Sequence, residues 1–100
     1  MPLLHVAFQE GFSGDQVVAR LNGEEIFRKS GMKTRLQTGF ADSVEVEAPD
    51  GPATLAIELP DRNISQSIPI TVSGPTYVGI SLSSNAQVTH KISQEPFGYV

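Results

Sequence analysis

Val17-Val18-Ala19-Arg20-Leu21-Asn22-Gly23-Glu24-Glu25-Ile26-Phe27 is the stretch whose reading decides the fold. Two β-favouring runs flank Asn22-Gly23, a dipeptide that accepts the two positive φ angles of a type I′ turn, and this predicts a tight hairpin. In a two-residue register Arg20 faces Glu25 and Ala19 faces Ile26, so an ion pair on one face accompanies an apolar pair on the other.

The pattern continues outward in both directions. Leu4, Val6 and Phe8 alternate with His5, Ala7 and Gln9, giving a strand that ends near Gly11-Phe12-Ser13-Gly14. After the hairpin, Lys29-Ser30-Gly31-Met32-Lys33 reads as a loop, and Leu36, Thr38 and Phe40 as one face of a further strand. Val44, Val46 and Ala48 alternate with Glu45 and Glu47. The turn Pro49-Asp50-Gly51-Pro52 then leads into Ala53, Leu55, Ile57 and Leu59, which predicts a second hairpin with apolar residues inward and acidic residues outward. Pro60-Asp61-Arg62-Asn63 is the next turn, before Ile68, Ile70 and Val72. Pro69 within that run lacks a ladder donor and places the strand at a sheet edge or a bulge. Ser73-Gly74-Pro75 makes a corner before Tyr77–Leu82, and Ser83-Ser84-Asn85-Ala86 turns the chain into Val88, His90 and Ile92.

About eight or nine short strands at this spacing, with no interval periodic enough for a helix, define an all-β antiparallel sandwich, with a small β-barrel as the alternative. One hundred residues suffice for one domain over 1–93. Residues 94–100 form an aromatic tail that packs on the domain or on a partner. At the level of architecture the strand pattern resembles the immunoglobulin-like and fibronectin-type sandwiches. The paired cysteines and core tryptophan of immunoglobulin domains are absent.

Composition narrows the function classes. Hydrophobic residues make up 39% and charged residues 18%, within the globular range. A net charge of −4 argues against a nucleic-acid partner, since such domains carry basic faces. No run approaches the roughly 20 apolar residues of a membrane span, and the first residues lack a signal-peptide pattern. With no cysteine, the expectation is a cytoplasmic protein, without excluding export. The charge is uneven: residues 16–40 carry net +3, residues 41–61 net −6. Such opposed surfaces can steer head-to-tail association.

Chemistry-bearing motifs are sparse. His5 and His90 lie near opposite ends of the sequence, where terminal strands can meet, but a zinc site needs three or four ligands and neither histidine has an acid at a diagnostic spacing. His90 falls in the apolar phase of its strand and reads as half-buried. No Gly-x-Ser-x-Gly elbow or phosphate-binding loop occurs. Glu45 and Glu47 sit about 7 Å apart along a strand, a spacing compatible with inverting glycosidases, although an exposed acidic face accounts for them. Asn63-Ile64-Ser65 matches an N-glycosylation sequon, which matters only on export.

The expectation is therefore a non-catalytic module with no cofactor or metal, not an enzyme. It would bind a protein or a second copy of itself, as in a homodimer, with a carbohydrate-binding accessory module as the alternative. Its candidate surface comprises an exposed sheet edge, the basic segment Arg28, Lys29, Met32, Lys33 and Arg35, and the aromatics Tyr77, Phe97 and Tyr99.

Overall fold

A computed structural model describes residues 2–35, 37, 39–85 and 87–95. Eight strands alternate between two sheets: β1 (Leu3–Phe8), β2 (Ser13–Leu21), β3 (Glu24–Lys33), β4 (Asp42–Glu47), β5 (Gly51–Leu59), β6 (Ile64–Val72), β7 (Thr76–Leu82) and β8 (Val88–Ser93). One sheet has the order β4-β1-β7-β8, the other β3-β2-β5-β6. All pairings are antiparallel except β1 with β7. The predicted sandwich is therefore the observed architecture, and the two sheets do not close into a barrel. The likeness to immunoglobulin domains stays at that level: β1 and β2 lie in different sheets, whereas the first two immunoglobulin strands share one.

Period-two alternation gives each strand one apolar face, and the two sheets bury those faces against each other. Leu4, Val6, Phe8, Val78 and Ile80 from the first sheet meet Val17, Ala19, Leu55, Ile57, Ile68 and Val72 from the second in one continuous core. Each of these side chains other than Ala19 contributes about 1.5–3 kcal/mol on burial. Phe8 of β1 stacks on Phe27 of β3 at 5.1 Å between ring centroids and meets Phe12 edge-on at 5.9 Å, which joins the sheets near β3.

The Asn22-Gly23 turn forms as read, with φ of 50° and 85°. Arg20 pairs with Glu25, but Ala19 pairs with Phe27 rather than Ile26, because a bulge between Ala19 and Arg20 leaves Ile26 as the extra residue. Three further expectations are corrected. Residues 29–33 continue β3 instead of forming a loop; Gly31, at φ 69°, and the irregular β2–β3 register bend the strand without ending it. Arg35 and Phe40 form an antiparallel bridge, and the Gly39 N–H donates to the Arg35 carbonyl at 2.8 Å, so this stretch turns back on itself where a strand was expected. Leu36 and Thr38 lie outside the described residues. Finally, β4 and β5 are not a hairpin: Pro49-Asp50 leads from one sheet into the other, with β4 on β1 and β5 between β2 and β6.

β5 and β6 are joined by a 3-10 turn at Pro60–Arg62, closed by Asn63 in the left-handed region. Pro69 does lie in an edge strand, β6, without a register shift. No helix among the described residues is long and apolar enough to cross a membrane.

Candidate interaction surface

The basic segment on β3 is largely neutralised within the fold. Arg28 donates to Glu25 Oε1 through Nε (3.1 Å) and Nη2 (2.8 Å). That hydrogen bond holds the exposed Glu25 carboxyl below the usual carboxylate range and raises the Arg28 guanidinium. Lys29 pairs with Asp42 of β4 and ties the edges of the two sheets together. Burial pushes the Asp42 carboxyl up, but the hydrogen bonds from Lys29 and from the Ser43 N–H, with the Lys29 charge, outweigh it and hold the group low. Arg20 donates to Glu58 at 3.1 Å. The positive and negative segments thus meet inside one molecule. Met32, read as exposed, is 1% exposed and belongs to the core, so burial removes it from the surface. Lys33 and Arg35 are exposed and make no ion pair among the described residues.

Tyr77 lies in the other sheet, away from the β3 segment. Cross-strand register places Glu45, His5, Tyr77 and Ser93 in one row across the outer face of β4-β1-β7-β8. The Tyr77 ring is 5.5 Å from that of His5 and tilted by 42°, and His5 Nδ1 is 3.5 Å from Glu45 Oε2. These rings are not coplanar. Phe97 and Tyr99 lie outside the described residues. His5 therefore meets a carboxylate, but on an open sheet face. His90 is on β8, two strands away, in the opposite phase; it is exposed, where half-burial was expected. No cluster of three or more metal-ligating side chains occurs among the described residues.

Two hollows open elsewhere. One of about 540 Å³ is lined by Leu21, Ile26, Val46 and Pro49 together with Glu24, Glu25 and Glu47. The other, about 340 Å³, lies beside Asn22, Thr54 and Pro69. Neither brings a histidine together with a serine.

An exposed sheet edge was expected without saying which strand would form it, and the structure puts one along the outer side of β8. The Ser83 N–H donates to the Gln87 carbonyl at 2.9 Å, which makes 83/87 a hydrogen-bonded pair and fixes the alternation along the ladder. Thr89, Lys91 and Ser93 consequently bond to β7, while the N–H and C=O groups of Val88, His90 and Ile92 point away from it. An independent contact agrees: Ile80, opposite His90, gives its carbonyl to the Gln9 N–H of the other flank at 2.7 Å. Among the described residues no strand pairs with that edge.

The remaining edges are blunted. On β6, Thr54 accepts from the Asn22 N–H and donates to Asn22 Oδ1, both at 2.9 Å. Its partner Pro69 therefore turns its donorless nitrogen outward. On β3 the register to β2 shifts three times, and Lys29 and Lys33 stand on the edge. On β4 the Ala48 N–H to Pro2 carbonyl bond (2.9 Å) sets Val44 and Val46 toward β1, so Ser43, Glu45 and Glu47 face outward, and the Ser43 N–H is already taken by Asp42 Oδ1 at 2.8 Å. β8 carries a single lysine, Lys91, but has neither proline, glycine nor bulge, and Ile92 on its core-facing side is 45% exposed. The strict alternation of residues 88–92 in the last strand was the available signal.

No protein-family model matches the chain, and no curated protein matches it.

Proposed function

We propose that this domain is a non-catalytic protein-interaction module that accepts an added β-strand at β8. The observation carrying the reading is the contrast between that edge, regular and unpaired among the described residues, and three blunted ones. An added strand would take the free N–H and C=O groups of Val88, His90 and Ile92, and its inward side chains would cover Ile92. Main-chain bonds supply affinity in this mode, and the alternate side chains supply selectivity. A sugar-stacking surface has less support, because Tyr77 and His5 are tilted rather than coplanar.

The test is an NMR titration with an alternating Val-Thr hexapeptide and the same peptide carrying a central proline. Strand addition predicts shifts in the amides of Val88, His90 and Ile92 with the first peptide and much smaller ones with the second. Shifts elsewhere, or none at millimolar peptide, would overturn the reading.

A further inference from the structure

We infer that the occupant of the β8 edge is the β8 edge of a second copy, paired antiparallel about His90, and that protonation of the two facing histidines releases it. This rests on the strand-acceptor reading above. The free groups sit on alternate residues, Val88, His90 and Ile92, so two copies can pair only in registers that oppose these residues to one another. Sliding the pair one way from the centred register puts Lys91 directly opposite Lys91 of the second copy, and like charges directly opposed are destabilising. Sliding it the other way sets Ile92 opposite a position outside β8 of the second copy. Centred on His90, the register instead opposes Val88 to Ile92 of the second copy, Thr89 to Lys91, and His90 to His90. The exposed apolar side chains then cover each other, both lysines oppose threonines, and all the free main-chain groups are used. The two-fold axis stands normal to the sheet, so the core-facing side of each copy continues into that of the next.

Charge makes the pair responsive. His90 occurs twice at the centre, on one face, with Cα atoms about 5.5 Å apart in a hydrogen-bonded pair. β7 offers Ile80 opposite His90, and its one ionisable residue, Tyr77, is in the other phase. β6, the outer strand of the facing sheet, has no ionisable residue. Lys91 stands on the outer face, Glu95 follows the strand beyond Ser93, and Glu10 lies beside Ser81. No carboxylate therefore faces the histidine pair from the strands packed on it, and two imidazolium groups there would repel. Histidine side chains ordinarily change charge between pH 5 and 8. A single six-residue strand buries less than the roughly 1,200–2,000 Å² of a stable interface, so the dimer is weak and concentration-dependent.

Sedimentation equilibrium on the full chain from about 10 μM to 1 mM tests this, with the dissociation constant expected on the order of 100 μM at pH 7.5. At pH 5.5 association should weaken about tenfold or more. His90→Asn should keep the dimer and lose the pH response. Two outer-face variants keep the inference falsifiable without touching the core: Thr89→Glu should tighten the dimer about threefold by facing Lys91 of the second copy, and Thr89→Lys should weaken it by a similar factor. A monomer at 1 mM and pH 7.5, or a dimer indifferent to pH and to both Thr89 variants, would overturn the inference. If the Val-Thr peptide still shifts the β8 amides in that event, the strand-acceptor reading survives; if it does not, both fall.

Discussion

Arg62 reaches from the turn between β5 and β6 to the start of β2, where Nε donates to Asp15 Oδ1 at 2.7 Å and Nη2 to Oδ2 at 3.2 Å, with a further bond to Ser13 Oγ at 3.1 Å. The Asp15 side chain is 8% exposed, so its carboxylate depends on this fork and on the Ser13 N–H at 3.0 Å. Removing one partner of a fully buried pair costs about 3–5 kcal/mol. Arg62 is 32% exposed, and solvent discounts the loss. Arg62→Ala should therefore destabilise the domain by about 2 kcal/mol, lowering the thermal midpoint by about 10 °C. Arg62→Lys should recover only part of this, since an ammonium cannot form the fork. A second single-residue constraint sits at Gly11, with φ of 93°. A Cβ there would meet the Leu82 carbonyl oxygen at 2.1 Å, against backbone that cannot swing aside. Strain and overlap add, and Gly11→Ala should cost about 3 kcal/mol or more in urea melts, whereas Gly14→Ala, which meets no atom, should cost only its positive φ.

At the scale of strands, Pro69 takes a ladder donor away from the β6 edge, because its nitrogen faces outward in mid-strand. Pro69→Thr should leave the β5–β6 ladder intact and create a new sticky edge. Light scattering should show concentration-dependent growth in this variant beyond that of a chain with Pro69 measured beside it. Equal masses at every concentration would mean that β6 is protected by something else. Pro69 and the Asn22-Gly23 turn were both legible in the sequence because each is a local constraint, a missing donor or a pair of positive φ angles. The partner of each strand was not. Pro49-Asp50-Gly51-Pro52 carries the same turn chemistry whether the chain doubles back in one sheet or crosses to the other, and here it crosses. Met32 looked exposed because Gly31 and three neighbouring charged or polar residues suggested a loop; the bent β3 instead carries it into the core. That β8 is an edge left unpaired among the described residues was hidden for the same reason, since an edge is a property of strand order, and strand order is not local.

For the molecule as a whole, the separation of charge along the sequence becomes pairing across the fold, Arg20 with Glu58 and Lys29 with Asp42, while Arg62 and Asp15, outside both segments, pair with each other. The stability of the sandwich should therefore depend on acid through these carboxylates. At Asp15 burial alone would raise the pKa, but the Arg62 hydrogen bond, the Ser13 N–H and the Arg62 charge together leave it below the ordinary aspartate value, and Asp42 is lowered in the same way. A carboxyl whose folded pKa lies below its unfolded one binds fewer protons when folded, so it stabilises the fold fully above the unfolded value, about 3.9 for aspartate. That contribution is lost as pH falls through the folded values. Urea midpoints should accordingly stay nearly level, as far as these groups are concerned, from pH 7 to about 5 and drop below about 4. Asp15→Asn with Asp42→Asn should start from a lower midpoint at pH 7 and fall less steeply in acid. An acid limb as steep in the double Asn variant as in the parent would assign the pH dependence to the remaining carboxylates and remove these two ion pairs from the account.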